Sequence, residues 1–170
     1  MTMSSKVLLQ LALSGVAVGL LMGSSSDSNP AIGTWKLNVA QSKSSTGSLP
    51  KSATRTVEPQ GNGISISYEF VEPDGSIDKY SYVASFDDQD APISGTGAPN
   101  WRQSRIDGAE SIALRREGSN AFAEALKKSG GVVMTTRTVV SKKGAVTIIT
   151  ANGADAQGQP TKDVLVWDKQ

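Results

Sequence analysis

Hydrophobic and polar residues alternate with a period of two along most of the chain. From Ile32 to Val39, Trp35, Leu37 and Val39 fall on one face and Thr34, Lys36 and Asn38 on the other, the mark of a half-buried strand. Ile64, Ile66, Tyr68 and Phe70 alternate with Ser65, Ser67 and Glu69 in the clearest strand of the sequence. In the next one, Tyr80, Tyr82, Ala84 and Phe86 stand opposite Ile77, Lys79, Ser81 and Val83. Further strands are predicted over Ala109 to Arg116, with Ile112 and Leu114 inward, and over Val132 to Ser141, Ala145 to Ala151 and Lys162 to Lys169. Ser52 to Glu58 reads as a short strand, polar enough to predict an edge or a wet face.

Turn residues punctuate these runs. Gln60-Gly61-Asn62-Gly63, Pro73-Asp74-Gly75, Ser129-Gly130-Gly131 and Lys142-Lys143-Gly144 each supply the glycine or asparagine that a tight hairpin requires. Ser-rich Ala40 to Lys51, Gly/Pro-rich Pro92 to Asn100 and the stretch Asn152 to Pro160 read as loops, and Trp101 to Ile106 as a short strand or an exposed lip. Ala121 to Lys128 carries two signals. Asn120 as a cap, an alanine-rich interior and Gly130 beyond it suit a helix. The spacing of Phe122, Glu124, Leu126 and Lys128 suits a strand, and the strand is favoured because a two-turn helix is weak in a row of hairpins. About nine or ten short strands at spacings of roughly 10 to 14 residues predict an all-β meander, barrel or sandwich.

The first 26 residues break this pattern. Met1 to Lys6 carries one positive charge, Val7 to Met22 is apolar apart from Gln10 and Ser14, and Gly23 to Ser26 is small and polar, the three parts of an export signal. Ser24 and Ser26 suit a cut before Asp27, and the apolar run is shorter than the roughly 20 residues a spanning helix needs. The expectation is a cleavable signal over 1–26, a single domain over 27–170, no lasting membrane anchor and a periplasmic or secreted location. Loss of Lys6 leaves 16 basic and 16 acidic residues, a balance that disfavours nucleic acid as a partner. The chain has no histidine and no cysteine, so it has no imidazole base, no Cys or Ser-His nucleophile, no disulfide and no His or Cys metal site.

The Gly33-Thr34-Trp35 motif on the first strand of such a meander resembles the opening of calycins, the lipocalins and fatty-acid-binding proteins, and GTWKL resembles the latter in particular. With VVSKKG, DAQGQP and VLVWDKQ, the chain also resembles a group of small exported lipocalin-like bacterial proteins. The resemblance implies an up-and-down antiparallel β-barrel of about eight to ten strands, with the first-strand Trp across its closed end. It assigns Gly33 and Trp35 a structural role and makes Lys169 or Arg137 the candidate for the basic side chain laid over that Trp. The last strand carries Leu165-Val166-Trp167 where fatty-acid-binding proteins carry an Arg-x-Tyr carboxylate clamp, and no T-D-Y motif occurs.

Within a barrel, Tyr68, Phe70, Tyr80, Tyr82, Phe86 and Trp167 are the candidates to line a pocket for a small apolar or amphipathic molecule. The same side chains could simply fill the interior. Trp101, Arg102 and Arg105 form a candidate contact on the rim, the working surface if the core is filled. Asp87, Asp88 and Asp90 offer oxygen ligands without the spacing of a calcium loop, and Glu69 with Glu72 or Asp74 with Asp78 are acid pairs with no sign of burial. The expectation is a monomer with no cofactor, no metal and no catalytic residue.

Overall fold

The computed structural model describes residues 29–95, 108–155 and 157–170. Among them are eleven strands: β1 (Gly33–Leu37), β2 (Lys43–Ser44), β3 (Ser52–Gln60), β4 (Gly63–Val71), β5 (Ile77–Ser85), β6 (Ala91–Gly95), β7 (Ser111–Arg116), β8 (Ala121–Lys128), β9 (Gly131–Val140), β10 (Val146–Ala154) and β11 (Pro160–Lys169). From β3 to β11 each strand pairs antiparallel with the next in sequence, and β1 bridges β3 to β11, so the sheet closes on itself. This is an all-β, up-and-down antiparallel barrel. Closure removes the exposed edges along which open sheets aggregate.

β1 and β2 lie along the same edge of β11, β1 at Trp35 to Leu37 opposite Trp167 to Lys169 and β2 opposite Asp163 and Val164, so together they form one interrupted stave of a ten-stave barrel. Ser42 repairs the interruption. Its hydroxyl accepts the Val166 N–H at 3.0 Å and donates to the Asn38 carbonyl at 2.8 Å, standing in for a missing backbone group. The segment expected as a surface loop, Ala40 to Lys51, thus contributes a short strand and a buried serine.

β3 is not an edge, since it pairs with β1 on one side and β4 on the other; the wet-face alternative is what is found, with Ala53, Arg55 and Val57 pointing into the barrel and their neighbours outward. Two further expectations are corrected. Ala91 to Gly95 is a strand although Pro92 lies in it; Pro92 stands opposite Ser111 at the thinly paired β6–β7 seam, where few ladder bonds are asked of it. β10 runs on to Ala154, paired with Pro160, into the stretch read as a loop. Ala121 to Lys128 forms strand β8, with Phe122, Glu124 and Leu126 inward. The expected signal over 1–26 and the Trp101 to Ile106 stretch lie outside the described residues.

The base of the barrel is built around Trp35, fully buried, whose indole N–H donates to the Ala31 carbonyl at 2.8 Å. Lys169 is the basic side chain over the ring, its Nζ at 5.2 Å from the ring centre, while Arg137 is on the outer surface, its Nε 2.7 Å from Glu117. Gly33 makes room for that lysine: it has φ +131°, and a Cβ there would lie 2.9 Å from Lys169 Cε. Among the described residues β6 meets β5 at Tyr80–Gly95, Ser81–Ser94 and Tyr82–Ile93, and β7 at Ala91–Ile112 and Pro92–Ser111, with a further backbone bond from the Ile93 N–H to the Glu110 carbonyl at 3.0 Å.

Candidate functional site

The period-two pattern of β4 and β5 sends Tyr68, Phe70, Tyr80 and Tyr82 into the barrel, and β11 sends in Leu165 and Trp167. Cross-strand register stacks Tyr68 on Tyr80 with ring centres 4.7 Å apart, and Phe70 lies 5.6 Å from Tyr68. Trp167 meets Tyr68 edge-on at 6.0 Å and Phe70 at 6.4 Å. Five of the six side chains expected to line a pocket are thus brought together, and all five border one internal cavity. That cavity measures about 20 Å³, room for one or two water molecules, so the belt nearly fills the barrel.

Phe86 is the exception. It lies just past the end of β5, half-buried, edge-on to Phe122 at 5.7 Å with the Arg116 guanidinium 4.1 Å from its ring centre, and it does not border the cavity. The strand ends at Ser85, so the alternation that would aim Phe86 inward has stopped. Trp101, Arg102 and Arg105 lie outside the described residues.

Two charged side chains missing from the candidate set occupy the same interior. Glu124, on β8, is buried and borders the cavity, and both its oxygens are taken: Tyr82 donates its hydroxyl to Oε1 and Thr136 donates to Oε2. Arg55, on β3, is fully buried and packs near two rings, its guanidinium carbon 5.5 Å from the Tyr68 centre and 5.9 Å from that of Phe122. Its guanidinium interacts with the Tyr68 hydroxyl beside it, and no ion pair joins it to Glu124. The sequence signal for both was parity alone. Arg55 alternates with Ala53 and Val57, and Glu124 with Phe122 and Leu126.

Electrostatics follow from burial. Burial opposes the charge of Arg55, but Tyr68, Tyr82 and Glu124 more than offset it, and the guanidinium pKa is raised. Burial likewise raises the pKa of all three tyrosines; nearby Glu124 adds to the effect at each, and Arg55 opposes it. All three therefore remain hydroxyl donors at neutral pH. Thr138, Thr147 and the Trp167 indole N–H are also buried without a hydrogen-bond partner.

The acidic pairs face elsewhere. Glu69 pairs with Lys79 at 2.6 Å on the outer surface, and Asp74 caps its own turn by accepting the Ser76 N–H and hydroxyl at 2.8 and 2.7 Å. Asp87, Asp88 and Asp90 are exposed, with Asp90 bound to Lys127. Among the described residues no group of three or more carboxylates is placed to hold a metal ion.

The class of protein is defined by this closed meander with a sealed base and an aromatic, polar-belted interior: a small up-and-down antiparallel barrel. No protein-family model matches the chain, and no curated protein sequence matches it. Among solved structures it is similar to the zebrafish ileal bile acid-binding protein in complex with cholic acid, at 11% identity and a TM-score of 0.48, covering 83% of this chain and 99% of that one. It is also similar to the siderocalin Ex-FABP, at 10% identity and a TM-score of 0.34, covering 83% and 74%. Likeness at this level adds nothing to the strand order itself and carries no ligand across.

Proposed function

We propose that the protein is an exported, monomeric barrel that binds a small apolar or amphipathic molecule between the β4–β5 aromatics and β11, without performing chemistry on it. One observation carries the reading: an aromatic cavity whose polar wall includes the buried Glu124, in a barrel interior that also holds the fully buried Arg55 beside Tyr68. A core serving packing alone gains nothing from burying an arginine, since a buried ion costs several kcal/mol more than the apolar residue that could replace it. Affinity would come from burial of ligand surface at about 25 cal/mol per Å², with tyrosine hydroxyls setting orientation. A space for one or two waters must widen to take such a guest, and β6, paired with β7 among the described residues at Ala91–Ile112 and Pro92–Ser111 and bonded once more from Ile93 to Glu110, is the stave expected to yield.

Export through residues 1–26 belongs to the same proposal, and its check is the N-terminal sequence of the protein recovered from its host, expected to begin at Asp27. Native mass spectrometry of that material tests the binding itself. A mass excess released on denaturation supports a carrier, and bare protein together with no ligand-induced protection of β6 amides in hydrogen exchange removes it. The small cavity favours a second reading, an envelope or extracellular interaction module with a filled core and a working rim at Trp101, Arg102 and Arg105. Loss of a captured partner on Trp101→Ala, with stability unchanged, would select that reading.

A further inference from the structure

The outer wall of the barrel carries a groove of about 560 Å³ over β3 to β6, against about 20 Å³ for the cavity inside. Sites that take small molecules measure roughly 300–1,000 Å³, so the outer groove is of that size and the inner cavity is not. Strand parity makes its wall. Thr54 and Thr56 on β3, Ser67 on β4, Ser81 on β5 and Ser94 on β6 all point away from the interior. Register then sets Thr56, Ser67, Ser81 and Ser94 side by side, a row of hydroxyls on four neighbouring strands about 4.8 Å apart. Thr54, Glu69 and Lys79 form a second row beside it. Facing Thr and Ser side chains stabilise a sheet when their hydroxyls bond to each other across the strands. Among the described residues none of these four hydroxyls bonds to another side chain, so pairing does not explain the row. Long charged side chains such as the exposed Arg115 and Arg137 of β7 and β9 would fill the trough, and the two charges that border it cancel, with Lys79 Nζ 2.6 Å from a Glu69 oxygen.

We infer that this outer groove binds a neutral carbohydrate, a short run of sugar rings laid on the hydroxyl row. A Ser or Thr hydroxyl both donates and accepts, and so does each hydroxyl of a sugar, so the two arrays pair without a surplus of either kind. The Glu69 carboxylate can accept from two neighbouring sugar hydroxyls, and Lys79 can donate to a ring or linkage oxygen, contacts of the stronger, charge-assisted kind. Because those two charges cancel, an acidic or a basic chain gains no advantage over a neutral one. The groove is separated from the interior by the sheet itself, so this inference does not depend on whether anything enters the barrel.

The test is an NMR titration of the intact, isotope-labelled protein at neutral pH with maltotriose, cellotriose and chitotriose, each to about 10 mM, a level at which a site held by hydrogen bonds registers. A hyaluronan tetrasaccharide is the acidic probe and glycerol the control for any polyol. At least one neutral trisaccharide is expected to shift the amides of Thr56, Ser67, Ser81 and Ser94 and to leave β8 to β10 unmoved, with the acidic probe binding no tighter and glycerol shifting nothing. Thr56→Val together with Ser67→Ala, both on the outer wall, should weaken that binding about tenfold, the loss of two hydrogen bonds. Glu69→Gln should weaken it several-fold, and Thr135→Val, exposed on β9, should not change it. Shifts from none of the three sugars, equal shifts from glycerol, tighter binding of the acidic probe, or undiminished binding by the double variant overturns the inference. Should the double variant fail to fold, Glu69→Gln and the comparison of probes still decide.

Discussion

Replacing Trp35 with phenylalanine tests the closure of the barrel most directly. The ring remains apolar and buried, but three things change. The Ala31 carbonyl, in a residue only 1% exposed, loses the indole donor at 2.8 Å, worth about 1–3 kcal/mol when the acceptor stays buried. The smaller ring leaves space in the fully buried site, adding about 1 kcal/mol if the surroundings relax little. Lys169, 5.2 Å from the indole centre, keeps a weaker cation–π contact, a loss of up to about 0.5 kcal/mol. Together these predict a destabilisation of roughly 2–4 kcal/mol, a large part of the 5–15 kcal/mol that holds a typical domain folded. Urea unfolding followed by far-ultraviolet circular dichroism, which does not depend on the removed fluorophore, measures it as a lower midpoint at unchanged slope. Lys169→Met is the control, with an expected loss below about 1 kcal/mol. A Trp35→Phe loss under about 0.5 kcal/mol would refute the assignment of the N–H bond and the indole as the seal.

Arg55 and Glu124 should behave as a coupled unit. Glu124→Leu leaves a buried cation without its nearest negative charge and two hydroxyls without their acceptor, so a loss of about 3 kcal/mol or more is expected, and Arg55→Met with Glu124→Leu should cost clearly less than the sum of the singles. Additive losses in a double-mutant cycle by urea unfolding would show that the two charges do not sense each other. The three tyrosines of the sequence, Tyr68, Tyr80 and Tyr82, are all buried with raised pKa values, so their contribution to stability is fully present below the unfolded tyrosine pKa of about 10 and is lost as pH rises above it. Tyrosinate absorbance should therefore stay absent in the folded protein past pH 10 and appear together with loss of the circular dichroism signal; ionisation near pH 10 with the fold intact would contradict the burial. Gly95→Ala places a Cβ 2.2 Å from the Lys79 carbonyl oxygen at a φ of +131°, and should cost about 1–3 kcal/mol with faster amide exchange concentrated in β6. Unchanged exchange there would mean that the β5–β6 register is not what holds the stave.

The fold was legible wherever one face of a strand is apolar. Ile64 to Phe70, Ile77 to Ala84 and Ile112 with Leu114 announce themselves because alternate residues meet water and oil, and the glycine-bearing turns between them leave a hairpin as the cheapest connection. Alternation settled even Ala121 to Lys128, whose helical propensity lost to pairing with β7 and β9 on both sides. It failed where the strand is short or proline-bearing, as in β6, and where one serine side chain replaces a ladder bond, as Ser42 does between β1 and β2. Propensity carries no trace of either arrangement, since both depend on a neighbour far away in the chain.

The site was legible by type but not by sign. Aromatic residues at inward parity mark the belt, and five of the six expected are found there. The charge at its centre left only a parity signal: Ser52 to Glu58 reads as a short strand polar enough for an edge or a wet face, and only the alternation of Arg55 with Ala53 and Val57 marks an inward side, where arginine is rarely found. The same rarity makes Arg55 informative once found. A barrel stabilised by packing alone would be at least as stable with an apolar residue at that position, as replacements of buried ion pairs by hydrophobic residues indicate. Retention of a cation at 0% exposure, packed near two rings and far from any ion pair, is therefore an observation that packing alone does not account for, and it is the reason for the carrier reading proposed above.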